Sequence, residues 1–297
     1  MIDLSKKYTY DELKNAAMVL VGQYPDLLRL HILGMSHDGR DIFGLRLGSA
    51  GKCLICTAGI HGRESTNPVL LLKMAEDYAR SAAKGQALYD QYSIYFLPVM
   101  NPDGYEIARA GFYTIRNPIL RHTLLMKDMP WEMWKYNARA VDVNRNFPCA
   151  SFMPVKGMYV PASENETKIL ISLFKKEADS VGYLDFHSRG RIIYYYRSAM
   201  PVSYNEKGKQ MAEKLKSLAS YDLGGQQDEM ETKSDGGNSV QYYSEKCGKL
   251  AITIETVDDD ASFPLDIRYQ QEVYREISEI PSGFLREYDC NFSGHSL

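Results

Sequence analysis

Residues 53–72 read Cys-Leu-Ile-Cys-Thr-Ala-Gly-Ile-His-Gly-Arg-Glu-Ser-Thr-Asn-Pro-Val-Leu-Leu-Leu. The first part, 53–60, is a short, mostly apolar run of the kind a strand buried on both faces needs. A polar cluster, 61–67, interrupts it, and an apolar helical pattern begins near Pro68. Strand, turn and helix make half of a βαβ unit, and the rest of the chain repeats the alternation. Further strands are expected at 93–100, 183–186, 191–196 and 250–255, and helices at 68–83, 164–178 and 204–219. Upstream, Thr9-Tyr10-Asp11-Glu12 is a capping box that opens a helix ending near Tyr24-Pro25. Strands at 27–33 and 42–47 flank His37-Asp38-Gly39-Arg40, whose Asp-Gly signals a hairpin turn and leaves His37 expected in solvent. Residues 101–161 show no clear period and are expected to be irregular. The pattern is that of an α/β sheet with helices on both faces, made mixed by the early hairpin.

The chain has 297 residues, 44% hydrophobic and 25% charged, which excludes disordered, collagen-like and coiled-coil classes. No hinge, repeat or low-complexity tract divides it, so residues 1–297 are expected to form one domain. Its 35 basic and 38 acidic side chains leave a formal charge of -3, no field for attracting nucleic acid or an anionic membrane. The longest apolar runs stop well short of the ~20 residues a membrane-spanning helix needs. The N-terminus lacks the apolar core of a signal peptide, so a cytoplasmic location is expected. Cys53 and Cys56 form a CxxC, but within a strand and with no second cysteine pair; two buried strand thiols are expected.

In open α/β sheets, ligands bind beyond the carboxyl ends of the strands. His61-Gly62-Arg63-Glu64, Asn101-Pro102-Asp103-Gly104, His187 and Glu255 all fall at such ends. An HxxE at a turn entering a helix lets imidazole and carboxylate reach one metal ion from the same side, though the spacing alone is common. His187 supplies the third ligand of a His2Glu zinc site that keeps a position open for water. Glu255 is then the candidate carboxylate that takes and passes on a proton. Asn144-Arg145 is a potential carboxylate clamp, because the guanidinium fork matches two carboxylate oxygens and the amide adds a donor.

Together these residues resemble the M14 family of zinc carboxypeptidases. The likeness rests on His61-Gly62-Arg63-Glu64, Asn101-Pro102-Asp103-Gly104-Tyr105, Val141-Asp142-Val143-Asn144-Arg145-Asn146-Phe147, Phe186-His187-Ser188 and Thr253-Ile254-Glu255, in the family's order. It implies a single domain with a mixed, mainly parallel sheet of about eight strands between helices. It also implies one zinc ion on His61, Glu64 and His187, with Glu255 as general base and acid. Asn144 and Arg145 would hold the substrate's terminal carboxylate, and Asp142 would accept a hydrogen bond from the non-metal nitrogen of His61. Residues 134–142 and 184–190 resemble bacterial members that cleave γ-D-glutamyl-diamino acid bonds of cell-wall peptides. The implied substrate is thus a peptide or murein peptide with a free carboxylate.

Several positions depart from the family pattern. For the arginine that steadies the oxyanion, Arg139, Arg116 and Lys135 compete, and Arg139 is favoured for its short approach to Asp142. The position of the lid tyrosine falls on Thr232; Tyr242 and Tyr243, in an expected helix, are better suited to packing. Ser239 is expected at the floor of the specificity pocket, and Arg189 and Arg191 are candidates to meet a second carboxylate. Two other readings fit parts of the pattern: an aspartoacylase-like zinc deacylase of N-acyl amino acids, and a catalytically silent peptide-binding homologue.

Overall fold

The computed structural model describes residues 1–154, 160–231 and 237–293. The chain opens with α1 (Tyr10–Gln23) and the hairpin of β1 (Leu28–Met35) and β2 (Asp41–Leu47). β3 (Cys53–Ala58), α2 (Thr66–Ala82), the short α3 (Leu88–Gln91) and β4 (Ser93–Leu97) follow, then α4 (Pro102–Ala110) and α5 (Pro118–Leu125). Next come α6 (Asn165–Lys176), β5 (Gly182–Ser188), β6 (Ile192–Tyr194), α7 (Val202–Ala219), β7 (Asp222–Gly224) and α8 (Gln226–Glu231). The last elements are α9 (Ser239–Cys247), β8 (Ala251–Thr256), α10 (Arg268–Ile277) and α11 (Ile280–Asn291). The capping box works as its residue types require: the Glu12 N–H donates to the Thr9 hydroxyl, and the Thr9 N–H to the Glu12 carboxylate.

The eight strands form one mixed sheet in the order β1-β2-β4-β3-β5-β8-β6-β7. Its centre, β4, β3, β5 and β8, is parallel; β2 and β6 join that centre antiparallel. Every residue of β3, β4 and β5 is buried, because helices cover both faces. Leu54, Cys56 and Ala58 pack with α1, α2, α7, α10 and α11, whereas Cys53 and Ile55 pack with α6 and α9. This alternation sends the two CxxC thiols to opposite faces, so they cannot share an ion. Both are free and buried.

Residues 101–154, part of the stretch expected to be irregular, are more ordered than that. Asn101 caps α4 and Asn117 caps α5, each accepting backbone N–H groups and each followed by proline in the first turn. That Asn-Pro pair is a helix-start signal; the helices are too short for their apolar period to stand out. β7, α10 and α11 also lie outside the expected elements. His37 is not in solvent: its Nε2 is 3.1 Å from the fully buried Glu164. Gly62 and Gly104 meet backbone to backbone, and a Cβ on Gly62 would lie 2.2 Å from the Gly104 carbonyl oxygen. Only glycine allows the turn after β3 to sit so close to α4. Among the described residues no helix is long and apolar enough to cross a membrane.

Candidate active site

β3, β5 and β8 are parallel neighbours, so their carboxyl ends meet at one edge of the sheet. The register pairs His187 directly with Glu255. His61 and Glu64 lie in the turn between β3 and α2, which begins at Gly59 with φ 65. His61 Nδ1 is 2.7 Å from Glu64 Oε1, and His187 Nδ1 is 3.2 Å from Glu64 Oε2. One donor atom from each of the three residues lies within 4.8 Å of the other two. The backbone helps hold them: Ser188 N–H donates to Glu64 at 3.0 Å, and buried Asn67 donates to the His187 carbonyl at 2.7 Å.

Each imidazole has a carboxylate behind its other nitrogen. Asp142 Oδ1 is 3.3 Å from His61 Nε2, and Asp185 Oδ2 is 3.1 Å from His187 Nε2. A carboxylate beside each Nε2 favours a proton on that nitrogen, which leaves both Nδ1 lone pairs facing Glu64. Two imidazole nitrogens and a carboxylate, with a cavity on one side, fit the donor set zinc takes when a position is kept for water. Burial disfavours charge on Glu64, but the two imidazoles prevail and hold its carboxyl down at about 2. Burial also opposes protonation of His61 and His187, and their carboxylate neighbours overcome it and raise both. Glu255 has no such excess of cations: burial pushes its carboxyl up to about 7, with His187 opposing and Glu64 adding to the rise.

A cavity of about 190 Å³ opens on this edge, lined in part by His61, His187, Glu255, Asn144 and Arg145. Asn144 and Arg145 ride on a 3-10 turn that Asp142 starts by accepting the Asn144 N–H at 3.0 Å. Tyr194, Tyr196, Arg197, Asp228 and Thr253 line other parts of the wall. The structure therefore brings His61, Glu64, His187, Glu255, Asn144 and Arg145 together.

It does not bring Arg139 to them. Asn137 accepts the N–H groups of Arg139 and Val141, and Ala140 takes φ 60; in this tight turn the Arg139 side chain goes to Glu164, 3.2 Å away and 45% exposed. The short sequence distance to Asp142 is thus no spatial approach. Lys135 makes that approach, with Nζ 2.7 Å from Asp142 Oδ2. Arg116 is exposed, and its backbone N–H is bound to Asp38.

Ser239 is fully buried and donates its hydroxyl to Asp185 at 2.5 Å, so it is not a pocket floor; Val240, Gln241 and Thr253 line the cavity instead. Thr232 lies outside the described residues. Tyr242 packs on Phe147 and Phe174, and the Tyr243 hydroxyl lies 2.7 Å from the Ser180 hydroxyl, both within the core. Arg191 is taken up by Asp258, Glu272 and Glu276. Arg189 lies over Phe263, as does Arg63, at 5.9 and 4.5 Å from the ring centre. Asp185 escaped the sequence reading. An acid in the middle of an apolar parallel strand, two residues before a candidate ligand, was the available signal, since a buried carboxylate needs partners.

A sequence model of the zinc carboxypeptidase family matches residues 14–279. Mouse carboxypeptidase A2 is 27% identical over 234 residues, which cover 73% of this chain and 55% of that protein. Carboxypeptidase B of Astacus astacus is 24% identical over 284 residues, 86% of this chain and 88% of that protein. The chain spans about half the length of the mouse and rat A2 proteins it matches. Among solved structures, bovine thrombin-activatable fibrinolysis inhibitor superposes with a TM-score of 0.78 at 19% identity, covering 97% of this chain and 99% of that one. A metallo-carboxypeptidase from Burkholderia cenocepacia gives 0.65 at 15% identity, covering 95% and 70%.

Proposed function

Because the chain belongs to the zinc carboxypeptidase family, we propose that it hydrolyses the peptide bond preceding a residue with a free carboxylate. The observation that carries this is one cavity lined by His61, His187, Glu255, Asn144 and Arg145, with Glu64 in contact with both histidines. His61, Glu64 and His187 hold one zinc ion, which when bound supplies Lewis acidity toward the scissile carbonyl and an activated water. Arg145 and Asn144 grip the terminal carboxylate and so fix the scissile carbonyl near Glu255. Glu255 takes a proton from water and returns it to the leaving amine. Lys135, bound to the acid behind His61, offers its charge to the developing oxyanion in place of Arg139.

The finer reading is a γ-D-glutamyl-diaminopimelate peptide of the cell wall. A γ-linked glutamyl residue leaves a free α-carboxylate on the acyl side of the scissile bond. Arg63 and Arg189, close in sequence to Glu64 and His187, both lie over Phe263, and among the described residues neither sits in a salt bridge. The cavity also carries a carboxylate, Asp228, which suits a side chain ending in an amine.

A substrate panel with and without chelator tests both levels. It contains ordinary peptides, γ-D-glutamyl-diaminopimelate peptides and N-acyl amino acids. The cell-wall peptides are expected to be cleaved fastest, with all activity lost to chelator. Glu255→Gln should keep zinc and lose at least about a hundredfold in kcat. Arg189→Ala should raise KM for the γ-D-glutamyl peptide more than for an ordinary one. Cleavage of ordinary peptides alone overturns the cell-wall reading, and cleavage of N-acyl amino acids alone overturns the peptidase.

A further inference from the structure

We propose that Asp185 is the positioning residue for His187, and that Ser239 joins it to the carboxylate clamp at Asn144. The proposal rests on the zinc reading above. Asp185 sits in the middle of β5 with no exposure. A carboxylate held there costs several kcal/mol unless it is fully partnered. It is: the Thr57 hydroxyl lies 2.6 Å from Oδ1, the Ser239 hydroxyl 2.5 Å from Oδ2, and His187 Nε2 3.1 Å from Oδ2.

Thr57 comes from β3 and Ser239 from the first turn of α9, so two elements on either side pin the carboxylate against rotation. The pinned group presents a fixed acceptor to His187. The Asp185 carboxylate, 3.1 Å from Nε2, favours a proton on that nitrogen and so one tautomer, with Nδ1 toward Glu64. Asp142 stands behind His61 in a similar way, 3.3 Å from its Nε2.

Ser239 does a second thing. Its backbone N–H donates to Asn144 Oδ1 at 3.0 Å. An amide whose oxygen is held this way keeps its NH2 end for other partners, and Asn144 lines the cavity. Asn144 Nδ2 lies 3.4 Å from His187 Nε2. A proton on Nε2, which the nearby Asp185 carboxylate favours, leaves that nitrogen no lone pair to accept from the amide, so Nδ2 remains available to a substrate carboxylate. One buried residue therefore touches both the acid that orients a ligand and the amide that receives substrate.

The test measures the zinc dissociation constant by competition with a chelating dye, in the absence of substrate. The proteins are wild type, Asp185→Asn, Ser239→Ala and the double variant, with thermal unfolding of each metal-free form. Asp185→Asn is expected to weaken zinc about 10- to 100-fold, the range for loss of a carboxylate behind a ligating histidine. Ser239→Ala should weaken it several-fold, and the double variant should be no weaker than Asp185→Asn, because Ser239 acts on the metal through Asp185. At saturating zinc, kcat should fall for Asp185→Asn with KM nearly unchanged. A merely structural role would lower the unfolding temperature and leave zinc affinity alone.

Wild-type zinc affinity in a folded Asp185→Asn, or additive losses in the double variant, overturns the proposal. If Asp185→Asn does not fold, Ser239→Ala decides: unchanged zinc affinity overturns it, and a several-fold loss supports it. Zinc affinity needs no turnover, so a wild type that cleaves no peptide refutes the proposed reaction and leaves this inference standing.

Discussion

Replacing Lys135 with Met should cost far more activity than replacing Arg139 with Met, although Arg139 is the residue its sequence position favours. Lys135 Nζ lies 2.7 Å from Asp142 Oδ2, and Asp142 Oδ1 lies 3.3 Å from His61. A flexible stem would let this charge turn from Asp142 toward the carbonyl that Asn144 and Arg145 would position. Loss of one oxyanion donor costs about 10²- to 10³-fold in kcat, or about 2.7–4 kcal/mol. Arg139 makes one contact of 3.2 Å to Glu164 and is 45% exposed, so the pair contributes under about 1 kcal/mol to stability. Its removal does not strand Glu164, which keeps Asn137 at 2.7 Å, Ser163 at 2.7 Å and His37 at 3.1 Å. The assay is steady-state hydrolysis at saturating zinc, with zinc content checked in each variant because Lys135 also touches the acid behind His61. Lys135→Met should lose a hundredfold or more in kcat, and Arg139→Met should stay within about threefold of wild type. A Lys135→Met enzyme with near-wild-type kcat, or an Arg139→Met enzyme that loses a hundredfold, refutes the reasoning.

Glu166 gives a stability prediction with a sign. Burial raises its carboxyl from 4.5 to about 7, so the folded state favours the protonated form. That contribution is complete below about 4.5, where the unfolded chain is protonated too, and is lost as pH rises through 7. The shift corresponds to about 3 kcal/mol. In urea unfolding of the metal-free protein, Glu166→Gln should therefore gain stability relative to wild type between pH 5 and 8; a difference independent of pH would contradict the shift. Gly62→Ala should destabilise the fold by about 1–3 kcal/mol and weaken zinc, since its methyl group would meet the Gly104 carbonyl at 2.2 Å. Calorimetry and dye competition read the two effects separately, and wild-type values in both would mean that the turn after β3 can yield. Arg191→Ala should lower the unfolding temperature without raising KM, because its three acidic partners keep it from substrate; a rise in KM would restore it as a binding residue.

The residues that met at the site were legible for a simple reason. His61, His187 and Glu255 end strands whose apolar runs mark them as buried on both faces, and buried parallel neighbours bring their carboxyl ends to one edge. The period of a strand and the identity of its last residue are local facts, so alternation along the chain was enough to anticipate the mixed sheet and the meeting of these side chains. Even the missed helices α4 and α5 had a local mark in their Asn-Pro starts.

What sequence could not supply was direction within turns and partnership at depth. Arg139 is four residues after Lys135, yet the turn held by Asn137 sends the two cations to different acids. Ser239 is itself the expected pocket floor by its place in sequence, but the start of α9 turns its hydroxyl inward to Asp185. His37, read as a solvated hairpin residue, faces Glu164, which follows it by more than a hundred residues along the chain. Each of these outcomes depends on which distant segment packs against the residue. The free energy of burying a polar group is decided by its partners, and those partners lie a hundred residues away along the chain in some cases and on the adjacent turn in others. Sequence by itself determined the sheet and the residues at its carboxyl edge; only the tertiary structure decided which acids and cations stand behind them.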